Sequence, residues 1–355
     1  MNDNSTPAAG LPQWAYVAEK PAGQALMRQS PEDFVVDEQL GFAPDGEGDH
    51  AMLLIEKRNT NTDWLARDLA RHAGVKPVDI GFAGLKDRIA VTTQWFTINL
   101  AGKDEPDWSA LNGEEVRVIE VSRHRRKLKR GSLRGNRFRI TLRQVSANRV
   151  ELESRLQRIA SDGVPNYFGE QRFGRDGANI DRARRLFEGR FREKNRTKRG
   201  LYLSAARSLL FNEVLSSRVA AGNWNQALAG DVMILDGRRG SFLVEQVDAE
   251  ILERLAAMEI HPTGPLWGRG ELPTHDTIRQ LEEKVLTDYP DLREGLEKAG
   301  MEMERRALRL PVEGLTWSWP EADSLQLEFA LHSGCYATTV LRELIDVSGD
   351  ASHAE

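Results

Sequence analysis

The sequence is poor in the residues that disulfide-stabilised folds and metal centres require. Its 355 residues include one cysteine, Cys335, so no internal disulfide can form and no CxxC pair is present for zinc or redox chemistry. The seven histidines are scattered, with no pair at the i, i+4 spacing of a metal-binding helix. We therefore expect chemistry without a metal, in a reducing, cytoplasmic location.

Several other common signatures are missing. No apolar run approaches the roughly 20 residues of a membrane-spanning helix, so no membrane partner is expected. The first ten residues lack the basic and apolar regions of a secretory signal. The glycines of GFAGLKD (81–87) are too few and wrongly spaced for a phosphate loop or a dinucleotide fingerprint. Neither a GxSxG nor an HExxH motif occurs, which leaves nucleophilic serine and zinc hydrolase chemistry without support.

Charge is present in quantity but is unevenly distributed. The net charge is -5, yet residues 116–144 carry eleven lysines and arginines and one acid, Glu120. A second basic block spans 182–200, and much of the balancing acid lies in 245–304. A solvated, salt-bridged surface explains one such run. Two basic blocks with aromatics and glycines nearby favour phosphate binding, as in proteins that bind nucleic acids.

The pattern of predicted elements changes twice along the chain. Alternating apolar residues predict strands over 32–38, 50–57, 116–121 and 136–145, with one capped helix over 61–74. Long helical patterns follow from about 160, and a strand pattern returns at 324–331 before a final helix. The length also favours two domains. We therefore expect an α+β protein in which a helix-rich segment interrupts a strand-rich one.

One carboxylate stands out in AGLKDRIAVTTQW (83–95). Asp87 lies between Lys86 and Arg88, and its flanks are apolar. Adjacent cations, from Arg88 or from a more distant arginine folded onto the site, keep a partly buried aspartate ionised. An ionised aspartate in a partly apolar cleft can serve as a nucleophile or base. The residues alone favour the alternative of a turn aspartate that caps backbone N–H groups.

A family resemblance bears on this choice. AGLKDRIAVTTQ resembles the AGxKDxxAxTxQ signature of the tRNA pseudouridine synthase D (TruD) family. Five further segments resemble the same family in the same order, from about residue 20 to the C-terminus. They are PEDFVVDE (31–38), RHRRKLKRGSLRGNRF (123–138), GVPNYFGEQRFG (163–174), SAARSLLFN (204–212) and ATTVLRELI (337–345).

The resemblance implies isomerisation of uridine to pseudouridine in tRNA, typically at position 13, without a metal or organic cofactor. Asp87 matches the catalytic aspartate of the family. Attack on C1′, abstraction of the C2′ proton and addition to C6 of uracil all stay open as its role. The resemblance also implies a bent mixed β-sheet core flanked by helices, formed by residues 21–160 and 311–355. A family-specific α/β domain (161–310) would be inserted in it, after a flexible tail (1–20).

Other positions match family contacts to RNA. Phe34 would pack near the target nucleotide, Asn136 would hydrogen-bond the base or help hold Asp87, Phe138 would line the pocket and Phe329 would stack on the uracil. Without the resemblance, the sequence pattern predicts that the three phenylalanines are core residues and that Asn136 is a turn residue. A basic group suits phosphate contacts that position tRNA without reading bases. Its members are Arg125, Arg126, Lys127, Lys129 and Arg130.

Three other functions are alternatives to this one. A non-catalytic RNA-binding or chaperone module on the same fold is disfavoured because Asp87, Asn136 and Phe329 are all present. A metal-dependent RNA hydrolase is disfavoured because no second or third carboxylate lies near Asp87 in the sequence. The same isomerisation on another RNA stays open. A monomer is expected.

Overall fold

A computed structural model describes residues 10–238 and 240–347, which form two compact units. The sheet unit comprises Pro21–Ala160, Val312–Ala337 and the described residues from Leu344 onward. The helical unit comprises residues 10–20, Ser161–Pro311 and Thr338–Glu343. Each unit is described by itself below.

The sheet unit contains a nine-stranded mixed sheet, and its strands are numbered in chain order. They are β1 (Gln24–Leu26), β2 (Phe34–Leu40), β3 (His50–Arg58), β4 (Ile80–Phe82), β5 (Val91–Asn99), β6 (Val116–His124), β7 (Leu133–Ser146), β14 (Glu313–Glu321) and β15 (Ser324–His332). The order is β14-β15-β7-β2-β5-β3-β6, with β1 joining β7 and β4 joining β5. β2 and β5 are parallel neighbours in the sheet. Parallel strands need a long connection, and this one contains β3, α1 (Thr62–His72) and β4.

The strand alternation predicted for β7 is confirmed. Phe138, Ile140 and Leu142 are buried, whereas Arg137 and Arg139 are exposed. Residues that face each other across neighbouring strands share a face of the sheet. The buried side chains of β7 therefore line one face together with their partners on β2 and β15, and we call this the buried face.

One helix covers part of the sheet and confirms the helix predicted over 61–74. Helix α1 (Thr62–His72) begins after Asn61, whose side chain accepts hydrogen bonds from the main-chain N–H groups of Asp63 and Trp64. Such a cap satisfies donors that the first helical turn leaves free. Leu65 and Leu69 are fully buried in a cluster with residues of β3 and β5. The cap and the apolar stripe together fix where α1 starts relative to the sheet.

The helical unit is built around one long helix. Its described helices are α3 (Ala178–Phe187), α4 (Arg196–Ala220), α5 (Ala249–Ala256), α6 (Asp276–Leu286), α7 (Pro290–Lys298) and most of α8 (Ala337–Leu344). Most of α2 (Arg149–Asp162) belongs to the sheet unit. α4 has 25 residues and is buried along much of its length. Within the described part of the chain, no helix is both long and apolar enough to cross a bilayer.

Residues 10–20, assigned by sequence to a flexible tail, pack in the helical unit. Trp14 is 9% exposed, its indole N–H donates to Glu213 at 2.9 Å, and the Ala15 N–H donates to Ser216 Oγ at 2.9 Å. Both acceptors lie on α4. Burial of a large aromatic ring orders these residues despite the polar sequence before them.

The helical unit also contains small sheets that the sequence pattern did not indicate. Their strands are β8 (Val164–Pro165), β9 (Val232–Leu235), β10 (Ser241–Leu243), β11 (Ile260–Leu266), β12 (Glu304–Ala307) and β13 (Arg309–Leu310). β11 contains Pro262 and Pro265, which normally argue against an inner strand. Its first half pairs with β9 and its second half with β12. Each half therefore has the one-sided pairing of an edge strand, where proline is tolerated.

Candidate active site

Asp87 lies on the loop between the antiparallel strands β4 and β5. The main chain on its N-terminal side is tied down. The Lys86 N–H donates to Thr62 Oγ1 at 3.2 Å, and the Gly131 N–H donates to the Ala83 carbonyl at 2.7 Å. The Gln94 side chain donates to the carbonyl of Gly84. The side chain of Asp87 remains 47% exposed, so the loop presents this carboxylate to solvent.

A distant arginine holds the Asp87 carboxylate. Arg28 Nη2 lies 3.1 Å from Asp87 Oδ2, and the Arg28 side chain is 5% exposed. Its guanidinium also lies 4.1 Å from the centroid of the Phe34 ring. Arg28 has φ of 58°, a left-handed conformation that is uncommon outside glycine and often occurs at functional sites. The sequence-based alternative of a distant arginine is therefore confirmed, although the sequence did not identify which one.

A buried lysine fixes the main chain at the same residue. Lys57 of β3 is fully buried, and its Nζ donates to the carbonyls of Thr60 at 2.7 Å and Asp87 at 3.1 Å. Burial lowers the pKa of Lys57 to about 8, although the Asp87 charge acts in the opposite direction. Lys57 was missed by sequence reasoning. Its signal is that it continues the apolar alternation of Leu53 and Ile55.

Lys86, the residue before Asp87 in the chain, forms an ion pair with another carboxylate. Its Nζ lies 2.6 Å from Glu38 Oε2, and the two side chains are 5% and 0% exposed. Glu38 Oε1 also accepts a hydrogen bond from the Trp95 N–H at 3.3 Å. Arg88 is exposed. The Lys86–Glu38 ion pair is therefore an anchor between the Asp87 loop and β2, since loss of one partner would leave a buried charge uncompensated.

The three phenylalanines singled out by sequence lie together on the buried face. The Phe34 and Phe138 ring centroids are 6.1 Å apart, and those of Phe138 and Phe329 are 5.4 Å apart with 28° between the ring planes. Phe34 and Phe329 are each 2% exposed, and Phe138 is 6% exposed. Through Arg28 the aromatic group is continuous with Asp87. The assignment of these rings to nucleotide binding stays a prediction.

Asn136 carries an unsatisfied polar atom on the same face. It precedes Phe138 by two residues on β7 and lies opposite Glu38 on β2 and Leu331 on β15. Its Oδ1 is buried and, among the described residues, has no hydrogen-bond partner. Folded proteins leave few buried polar atoms unpaired. Asn136 Oδ1 is therefore a buried acceptor for which the described residues provide no donor.

The predicted phosphate-binding residues lie on the connection between β6 and β7. Arg125, Arg126, Lys129 and Arg130 are exposed. Arg125 pairs with Glu47, and Lys127 donates to the carbonyl of Val78. Within the described chain, no ion pair engages Arg126, Lys129 or Arg130. We call residues 125–131 the basic loop; its Gly131 contact with Ala83 places it against the start of the Asp87 loop.

Known proteins share this fold and sequence. A crystal structure from Methanosarcina mazei, assigned to tRNA pseudouridine synthase D (TruD), superposes with a TM-score of 0.73 over 96% of this chain and 98% of that one. At 24% sequence identity, this likeness demonstrates a common fold. The tRNA pseudouridine synthase D of Nitrosococcus oceani is 55% identical over 339 residues, or 95% of each chain. The protein of the same name from Methylococcus capsulatus is 52% identical over 320 residues, or 90% of each chain.

The sequence profile of tRNA pseudouridine synthase D (TruD) matches residues 12–193 and 182–344. The chain therefore belongs to the TruD family of tRNA pseudouridine synthases, which are isomerases. The resemblance drawn from the AGLKDRIAVTTQ motif is confirmed.

The perturbed pKa of Lys57 makes a prediction about stability. Between the folded value of about 8 and the ordinary 10.5, the unfolded chain binds more protons, so the free energy of unfolding rises with pH. Lys57→Met removes this contribution. We expect the free energy of unfolding of the wild type, relative to Lys57→Met, to increase between about pH 7.5 and pH 10 by at most about 1.4 kcal/mol per unit.

Urea denaturation at several pH values measures this difference. The exposed Lys129 provides a control, because Lys129→Met should leave the difference from wild type independent of pH. A Lys57→Met difference that stays constant over the same range would contradict the assignment of the shifted proton to Lys57.

Proposed function

We propose that this chain isomerises uridine to pseudouridine in tRNA, most specifically at uridine 13, with Asp87 as nucleophile or base. The observation that carries the proposal is the unpaired Asn136 Oδ1 on the face that also carries Glu38, the partner of Lys86. The N3–H of uracil is a donor that complements this acceptor, and the Asn136 N–H groups complement a uracil carbonyl. A pyrimidine held in this way would lie beside the loop that presents Asp87.

The reaction requires the base to leave the RNA stack. The N1–C1′ bond breaks, the ring turns, C5–C1′ forms and the C5 proton is lost. Flipping the nucleotide costs a few kcal/mol, and stacking on an aromatic ring returns about 1–3 kcal/mol. Phe34, Phe138 and Phe329 would line the pocket, with Phe329 against the uracil. Because Phe329 is 2% exposed, the base reaches its ring only if side chains above it move when RNA binds.

Asp87 would act at the junction of ribose and uracil. Among the described residues, its Oδ1 has no hydrogen bond, while Oδ2 is held by Arg28. One oxygen is thus oriented by the protein and the other is available to substrate. Glycosidic cleavage leaves a uracil anion, and the Arg28 guanidinium is a cation that can stabilise it. None of these roles requires a metal or an organic cofactor.

The same proposal extends to the organisation of the chain. Residues 21–160 and 311–355 would form the catalytic core, a bent mixed sheet flanked by helices, and 161–310 would form the inserted TRUD domain. Two compact units that divide between 160 and 161 and between 311 and 312 support this division. The protein would act as a monomer, with the basic loop contacting tRNA phosphates.

The decisive experiment follows tritium release from tRNA labelled at uridine C5, in the presence of EDTA. We expect release by the wild type, with the product mapped to position 13, and at least a 1,000-fold loss (an order-of-magnitude expectation) in Asp87→Asn. Asp37→Asn is the matched control, because Asp37 is an exposed aspartate of β2. It should retain wild-type release.

Three results would count against the proposal. Equal release by wild type and Asp87→Asn would remove Asp87 from its role. Loss of wild-type release in EDTA would favour a metal-dependent enzyme. Binding of tRNA without any release would favour the non-catalytic RNA-binding module or another RNA substrate.

A second prediction concerns Arg28. Arg28→Met keeps an apolar stem beside Phe34 but removes the charged hydrogen bond to Asp87. Since such bonds contribute about 1.5–3 kcal/mol, we expect kcat to fall about 10- to 100-fold. Binding of tRNA should change little. Arg58→Met, which breaks an exposed pair with Glu32, is the control and should leave kcat within about twofold. An unaffected kcat in Arg28→Met would contradict the orienting role.

The basic loop predicts a salt-dependent affinity. Plots of log Kd for tRNA against log salt should be steep, because bound phosphates release counterions. Arg126→Gln combined with Lys129→Gln should weaken binding and reduce the slope by about one per lost contact. The control combines Arg71→Gln with Arg117→Gln, two exposed residues of the sheet unit outside the loop. A flat salt dependence, or equal effects of the two double variants, would contradict phosphate binding by this loop.

A further inference from the structure

The helical unit contains a cavity that the proposed reaction does not use. Its volume is about 360 Å³, and it opens to solvent. α3 and α4 provide two of its walls, and the connection between them closes a third. The lining residues are Arg182, Arg185, Phe191, Glu193, Lys198 and Tyr202.

The floor of the cavity is aromatic and is already ordered. Tyr202 is 3% exposed, and its hydroxyl accepts a hydrogen bond from Arg182 Nη1 at 3.0 Å. The same guanidinium lies 5.6 Å from the centroid of the Tyr202 ring. The Phe191 ring is partly buried, with its centroid 6.1 Å from that of Tyr202. Two ring systems and one oriented guanidinium therefore exist before any ligand binds.

The cationic side chains of the cavity make no ion pair with any of the described residues. Arg184 and Arg190, which lie outside it, pair with Asp291 and Glu188. By contrast, Arg185 and Lys198 make no ion pair within the described residues, and both are exposed. The acid in the lining is Glu193, and its Oε1 accepts the Asn195 N–H at 2.8 Å. The cavity is therefore lined by three cationic side chains and one carboxylate, and that carboxylate already accepts one hydrogen bond.

We propose that this cavity is a second RNA subsite, which binds one unpaired nucleotide of the substrate other than the reacting uridine. Arg185 and Lys198 would hold its phosphate, and its base would stack on Phe191. The inference rests on the proposed function in that the ligand is substrate RNA. Basic grooves with aromatic platforms bind single-stranded nucleic acid in this way, and the volume lies in the range of small-ligand pockets.

The lining also favours a ribonucleotide over a free anion. A phosphate alone would satisfy the cations but would leave Phe191 unused. Glu193 offers an acceptor for a ribose hydroxyl, a group that distinguishes RNA from DNA. The subsite should therefore contribute affinity for tRNA and leave the chemical step unchanged.

Two double variants with the same change of net charge test the inference. Arg185→Gln with Lys198→Gln alters the cavity, whereas Arg184→Gln with Arg190→Gln alters neighbouring paired arginines. At about 0.15 M salt, we expect the cavity variant to bind tRNA about tenfold more weakly and the control to change less than about threefold. KM should rise with Kd, and kcat at saturating tRNA should stay within about twofold of wild type. Phe191→Leu should weaken binding about fivefold or more, because it removes a stacking surface.

Equal weakening by the two double variants would overturn the proposal, since it would reflect overall charge. A fall in kcat with unchanged Kd would also overturn it. Kd is measured independently of isomerisation. If the protein shows no isomerase activity but its binding of tRNA still depends on the cavity, the result contradicts the proposed function and supports the subsite.

A measurement on the unaltered protein guards against variants that fail to fold. Acylation of lysines, followed by mass spectrometry, reports whether tRNA covers Lys198. We expect tRNA to slow the acylation of Lys198 about fivefold and to leave Lys298, an exposed lysine of α7 that pairs with Glu294, unchanged. Protection by inorganic phosphate but not by tRNA would indicate a small-anion site and overturn the proposal, as would no protection by either.

Discussion

A buried lysine ammonium determines how Asp87 is presented. Lys57 has no contact with solvent, so its charge must be satisfied within the sheet unit, and the carbonyl of Asp87 is one of two groups that do so. Desolvation of a charge is costly unless hydrogen bonds compensate for it. The loop therefore cannot move away from β3 without leaving the ammonium partly unsatisfied. Lys57 binds the main-chain carbonyl of Asp87 and not its side chain, so the carboxylate can stay exposed.

The side chain of Asp87 has its own constraint from Arg28. The two contacts act on different parts of one residue, and they come from chain segments before β2 and at the end of β3. Lys86 and Glu38 add a third anchor from β2. Three cations near one loop would repel one another in an apolar setting, but each is paired with a separate acceptor. The site thus concentrates positive charge without leaving it unpaired.

Sequence patterns predicted the parts of the fold that depend on local periodicity. The strands at 32–38, 50–57 and 136–145 and the capped helix at 61–74 lie where alternation and capping residues indicate. Periodicity did not predict the small sheets of the helical unit, because their strands are short and β11 contains prolines that one-sided pairing tolerates. The family resemblance implied strands there only through its inserted α/β domain. The motifs that resemble the TruD family singled out Asp87 and the three phenylalanines. Arg28 could not be predicted, because a left-handed residue outside a strand has no periodic signal. Lys57 and Glu38 each occupy a position that the apolar alternation of their strand predicts to be buried, so the sequence did carry a signal for them.

The pairing of β15 with β7 has a consequence for a chain that is still being synthesised. Phe329 comes opposite Phe138 only after Ser324–His332 joins the sheet, although Asp87 and its arginine are present in the first third of the chain. A nascent chain can thus contain Arg28, Lys57 and Asp87 before Phe329 has been synthesised. The buried face of the sheet unit is therefore completed only by the last of its strands to be synthesised.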